Sequence, residues 1–290
     1  MTDVLALPLP LIEAAALRER LAAGAPTVVI DTSFDLADPA AGERSYREGH
    51  LPGAHYLHLD RDLADHAPAA DGRFRGRHPL PTREAFAATL SRLGIGAASP
   101  IVVCDRQGGM FAARAWWMLR WLGHREVAVL DGGVPAWLAG GGALDAAMPT
   151  PSAAAPYVLG AALTPTLDAA ALQAALGRVR LIDARAAERF RGDVEPLDPV
   201  AGHIPGALNR PFKDNLDAQG RFLAPEALRA AFAPLLAGRP PAEVVHQCGS
   251  GVTACHNLLA MEAAGLGGSA LYPGSWSEWC ADPARPVARG

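Results

Sequence analysis

Short apolar, β-branched runs alternate along this chain with longer stretches whose apolar positions recur at helical spacing. Residues 28–30 and 181–182 are strand-like runs that lead into aspartates, Asp31 and Asp183, as buried parallel strands do before their loops. Helical patterns follow over 82–93 and 225–236 with a proline near each start, where its missing N–H costs nothing. Apolar strands are expected again at 101–103 and 244–246. Helices follow at 111–122 and 252–264, stopped by Gly123 and Gly265. Residues 127–130 and 270–272 supply a further strand in each half. This alternation predicts an α/β fold with a parallel sheet covered by helices on both faces, formed once per half.

The halves repeat one another. His50-Leu-Pro-Gly-Ala54 recurs as His203-Ile-Pro-Gly-Ala207, and Ile101-Val-Val-Cys-Asp105 lies against Val244-Val-His-Gln-Cys248. Asp131-Gly-Gly-Val-Pro-Ala-Trp137 matches Pro273-Gly-Ser-Trp-Ser-Glu-Trp279 in the same order. The offset shrinks once, by about ten residues, so the first half carries an insertion between Ala54 and its next strand. The expected division is 1–142, an aperiodic Gly/Ala/Pro-rich linker at 143–163, and 164–290.

Composition removes several classes of function. With 290 residues, 50% of them hydrophobic, the chain has material for two ordinary cores. Twenty-six basic against 30 acidic residues give a net charge of −4. That leaves no basic surplus for nucleic acid or an anionic membrane. The N-terminus lacks a basic region, and Pro8 and Pro10 interrupt its apolar run, so it does not read as a signal peptide. Four cysteines are too few for a disulfide scaffold at this length. The reading is a reduced, cytoplasmic protein of enzyme size.

The strongest chemical signal is Cys248-Gly-Ser-Gly-Val-Thr253, where a buried strand delivers a cysteine into a loop that opens a helix. Glycines let successive N–H groups turn inward as an anion-binding nest, and the helix N-terminus adds positive potential. Both favour thiolate over thiol, the nucleophilic form. His246, Cys248, Cys255 and His256 do not read as a zinc site. There is no Cys-x-x-Cys knuckle, and Cys255 and His256 leave a helix about 100° apart. Asp183 and Arg185 read as a structural ion pair, and His50 and His203 as turn residues.

These motifs resemble the tandem rhodanese-type sulfurtransferases, and the resemblance covers nearly the whole chain. It rests on Asp31 and Asp183, the paired His-x-Pro-Gly-Ala segments, Arg114-Ala-Trp-Trp-Met-Leu-Arg, Leu130-Asp-Gly-Gly133 and Gly274-Ser-Trp-Ser-Glu-Trp279. It implies two tandem rhodanese-like domains, the first silent with Asp105 at the place of Cys248, the second carrying sulfur as a Cys248 persulfide. The loop is similar to that of the 3-mercaptopyruvate enzymes; thiosulfate-specialised members place basic residues directly after the cysteine.

By the same resemblance Gly249, Gly251, Val252 and Thr253 bind substrate, and Arg189 holds its carboxylate. Ser250 works with Asp60 and His78 as a proton relay. The insertion, in a segment expected to face the other domain, fits a lid over the cleft between the two. The acceptor is a thiol, thioredoxin or cyanide, and no cofactor or metal is needed. One position departs from the pattern: Asp198 stands where a second carboxylate-binding arginine is usual, leaving Arg106 or Lys213 to substitute. Thiosulfate remains an alternative donor, and a non-catalytic binding module a further alternative, against which retention of Cys248 speaks. A cysteine phosphatase would need an arginine at Ala254.

Overall fold

An uninterrupted apolar run can be a strand only where both its faces are covered, and that is what these runs become. The computed structural model describes residues 7–150 and 156–290. The N-terminal six residues, on which the signal-peptide reading bears, and 151–155 of the expected linker lie outside the described residues. One parallel sheet is built from β1 (Leu11–Ile12), β2 (Val28–Asp31), β3 (His55–Tyr56), β4 (Ile101–Cys104) and β5 (Val127–Leu130), in the order β1-β5-β4-β2-β3. The other comprises β6 (Arg180–Asp183), β7 (Leu208–Asn209), β8 (Val244–Gln247) and β9 (Ala270–Leu271), ordered β7-β6-β8-β9 and also parallel. Every residue of β4, β5 and β8 is buried. Successive side chains on a strand point to opposite faces, so both faces of each sheet are covered.

The chain forms two compact units. Unit 1 comprises residues up to Leu63 together with Pro81–Leu163 and Ala218–Phe222; unit 2 comprises Ala64–Leu80, Thr164–Asp217 and Leu223–Gly290. The insertion expected from the repeat therefore packs with the second half, and a short piece of the second half packs with the first. Within unit 1, the Phe222 N–H donates to the Asp131 carboxylate at 2.8 Å. Described residues of the expected linker are tied down there as well: the Gly160 and Leu163 N–H groups donate to Leu122 and Arg120 carbonyls at 2.9 and 3.0 Å.

The repeated histidines do one structural job in each unit. His50 Nδ1 meets the Tyr46 carbonyl at 2.7 Å with the two rings stacked, and His203 Nδ1 meets the Phe190 carbonyl at 2.8 Å with the same stacking. Their Nδ1 partners are therefore carbonyls of upstream aromatic residues rather than the Pro-Gly turns, and His50 Nε2 also meets the Ala147 carbonyl at 3.3 Å. No helix among the described residues is long and apolar enough to cross a membrane.

β8 contains a titratable group with a consequence for stability. His246 is fully buried, its Nε2 lies 3.0 Å from Met261 Sδ, and its Nδ1 has no partner among the described residues. Burial pulls its pKa from 6.5 down to about 3. Below 6.5 the unfolded chain takes a proton that the folded chain refuses until about 3. This residue's contribution to stability is therefore lost as pH falls through that window, by at most about 1.4 kcal/mol per pH unit. Denaturant midpoints measured from pH 7 to pH 4 should fall less steeply for His246→Leu than for wild type; equal slopes would contradict this.

Candidate active site

The end of β8 delivers Cys248 into a loop held by the turn at 273–277. The Cys248 N–H donates to Ser275 Oγ at 3.1 Å, and its carbonyl accepts from the Trp276 N–H at 3.0 Å. The Gly249 carbonyl accepts from the Ser277 N–H at 2.9 Å. Ser275 adopts φ +55°, rare for a residue with a side chain, and its hydroxyl donates to the Tyr272 carbonyl at 3.0 Å. Gly251 has φ +79°, and a β-carbon there would lie 2.2 Å from the Pro273 carbonyl oxygen. Gly251→Ala should therefore cost about 2–4 kcal/mol of unit 2 stability and distort the loop. A variant that melts with wild type and keeps full turnover would count against this packing.

The loop leaves polar donors unspent. Among the described residues, the N–H groups of Gly249, Ser250, Val252 and Thr253 donate to no protein acceptor. Unit 1 contains the same loop with an anion built in. Asp105 follows β4 as Cys248 follows β8, and its carbonyl takes the Val134 N–H at 2.9 Å. Its carboxylate accepts the N–H groups of Gln107, Gly109, Phe111 and Ala112 at 2.8–2.9 Å. The first unit thus satisfies its loop amides with a fixed carboxylate, while the second leaves those amides without a protein acceptor among the described residues, an arrangement that suits an anion.

The segment 64–80 completes this end of unit 2. Gly76, at φ +93°, lies so close to the turn that a β-carbon would sit 2.7 Å from the Gly274 carbonyl oxygen, and the Arg77 N–H donates to Ser277 Oγ at 3.1 Å. The next residue, His78, is buried and places Nδ1 2.7 Å from Ser250 Oγ.

Beside the loop runs a chain of alternating charges. The Asp183 carboxylate accepts the backbone N–H and two guanidinium N–H groups of buried Arg185, Glu195 lies between Arg185 and Arg189, and Asp198 joins Arg189 to Arg77. Burial alone would lower the Arg185 pKa, but Asp183, Glu195 and the nearby Cys248 more than offset it and hold it above its ordinary value. A fixed cation therefore stands within electrostatic range of the cysteine.

Most of the residues expected from the sequence come together: Cys248, Ser250, His78, Arg189 and the loop residues Gly249, Gly251, Val252 and Thr253. Asp60 belongs to unit 1, on the helical turn Leu59–Asp62, where its N–H donates to His58 Nδ1 at 3.1 Å. Arg106 also belongs to unit 1 and donates to the Ser45 and Gly49 carbonyls, while Lys213 is exposed in the turn Phe212–Asn215. Sequence reasoning missed Ser275 and Arg77. The latter adjoins His78, and an acidic residue at 198 was the available sign that a basic partner stood elsewhere. Of the remaining cysteines, burial pushes Cys280 up to about 11 and Cys104 well up, so both stay thiols at neutral pH.

The description of the rhodanese-like domain matches this chain twice, at residues 13–140 and 168–282. The chain belongs to the rhodanese family of sulfurtransferases. A rhodanese relative from Pseudomonas aeruginosa, named a probable 3-mercaptopyruvate sulfurtransferase, is 51% identical over 270 residues, 91% of this chain and 92% of that protein. A Mycobacterium tuberculosis protein provisionally named a thiosulfate sulfurtransferase is 43% identical over 286 residues, covering 97% of each. Among solved structures, the 3-mercaptopyruvate sulfurtransferase from Leishmania major superposes with a TM-score of 0.82 at 28% identity, over 94% of this chain and 74% of that one. The two-domain, all-parallel α/β architecture described above is that of the family.

Proposed function

We propose that unit 2 moves sulfur from 3-mercaptopyruvate to a thiol or cyanide through a persulfide on Cys248. The observation that carries the choice of donor is the 2.7 Å contact between Ser250 Oγ and His78 Nδ1, two residues from the nucleophile. The Cys248 thiolate attacks the donor's sulfur. An S–S bond forms as the C–S bond breaks, and the electron pair leaves on carbon as the enolate of pyruvate. That enolate needs a proton, which the Ser250 hydroxyl gives and His78 replenishes. The unspent loop amides stabilise negative charge on the two sulfurs. A thiolate, a thioredoxin-type dithiol or cyanide then bonds to the outer sulfur. The S–S bond breaks and its electron pair returns to Cys248 Sγ.

Thiosulfate is the second reading, favoured by the two guanidinium groups beside Gly249, which suit a dianion. Its leaving group, sulfite, departs without a proton, so the Ser250–His78 pair would have no task. Thiocyanate formation from cyanide, measured with each donor in turn, tests the choice. The expected kcat/KM is at least about tenfold higher with mercaptopyruvate. The reverse order would overturn the donor assignment.

A further inference from the structure

We propose that Arg77, contributed by the segment 64–80, is a substrate-binding residue that forms with Arg189 a two-guanidinium seat for the donor's carboxylate. This rests on the sulfur-transfer reading above and names the group that recognises the donor. A β-carbon built on Gly249, the residue after the nucleophile, would lie 2.9 Å from Arg77 Nη2 and 3.5 Å from Arg189 Nη1. Two cationic groups from different parts of the chain thus converge on one point beside Cys248. Neither of these two nitrogens donates to an acceptor among the described residues; the bonds of both side chains to carboxylates run through other nitrogens.

The carboxylate that fixes them is Asp198. It is almost fully buried and uses its two oxygens separately, Oδ1 toward Arg77 Nη1 and Oδ2 toward Arg189 Nη2. A bridging carboxylate holds the two planar cations apart and fixes which nitrogens remain for a ligand. Asp198 itself would repel an anionic donor; its place here is to position the two groups that attract it. Arg77 is further held by its own N–H on Ser277 Oγ at 3.1 Å, and Arg189 by Glu195 Oε1 at 2.7 Å. Both side chains are partly exposed, 25% and 18%, so a small anion can reach them without unpacking the loop. The geometry leaves one nitrogen from each guanidinium for the two oxygens of a carboxylate.

The test compares wild type, Arg77→Gln, Arg77→Lys and Asp198→Asn with mercaptopyruvate, following pyruvate release with a thiol acceptor. Arg77→Gln should raise KM about ten- to a hundredfold, the size of one lost charge-assisted contact, with kcat within about threefold of wild type. Arg77→Lys should lie between the two. Asp198→Asn should raise KM because the guanidinium groups lose their anchor. Arg75→Gln, in the same segment but bonded to Asp65 and Ala67, should leave KM unchanged and serves as the control for segment folding. An Arg77→Gln enzyme with wild-type KM overturns the proposal, as does a loss confined to kcat or to melting temperature. A lower KM in Asp198→Asn overturns the anchoring role. Failure of the underlying reading looks different: wild type itself would release no pyruvate.

Discussion

Cys248→Ser should abolish sulfur transfer, lowering turnover by at least about a thousandfold with every donor, because the covalent intermediate can no longer form. The change is nearly isosteric, and the contacts that hold position 248 are made by its backbone to Ser275 and Trp276. Folding and melting should therefore match wild type, and the loss should lie in chemistry alone. Serine fails because its hydroxyl is not ionised at neutral pH and its oxygen is a poor partner for divalent sulfur. Cys255 is no substitute nucleophile, since its thiol is buried against the Gly251 carbonyl at 3.4 Å. The check is thiocyanate formation beside a melting curve. Residual turnover within about tenfold of wild type would remove Cys248 from the reaction.

The second large effect should separate the two donors. Ser250→Ala and His78→Gln each remove one end of the 2.7 Å contact. With mercaptopyruvate, kcat should drop about a hundredfold or more, the usual worth of a positioned proton donor. With thiosulfate as donor the same variants should stay within about threefold of wild type, because sulfite needs no proton. The double variant should be no worse than the poorer single one, since the two groups act as a unit. Equal losses with both donors would assign the pair to loop structure instead.

Those expectations draw on residues that were unequally legible in the chain. β2, β4, β5, β6 and β8 are readable because a strand buried on both faces must be a continuous apolar run. The edge strands have two residues each, too few to show any period; β9 is legible only within the apolar run 270–272, while β1, β3 and β7 have no such run to mark them. The Cys248 loop is legible because glycine at 251 answers a backbone requirement, the +79° turn against Pro273. Asp105 is legible as its counterpart through the repeat, but its satisfaction of four loop amides is not, since that depends on a side-chain rotamer. Arg77 is the hardest case. Its partner Asp198 is 121 positions away, and its placement depends on Gly76 lying against Gly274. Nor could periodicity show that 64–80 packs with unit 2 and 218–222 with unit 1, because polar loops take their positions from tertiary contacts.

The central claim is that Cys248 carries sulfur taken from mercaptopyruvate, and intact-protein mass spectrometry tests it most directly. Wild-type protein incubated with mercaptopyruvate alone, without acceptor, should gain the mass of one sulfur atom, localised by peptide mapping to Cys248 and discharged by adding cyanide. An unchanged mass, or an added sulfur that maps to Cys104, Cys255 or Cys280, would contradict the account.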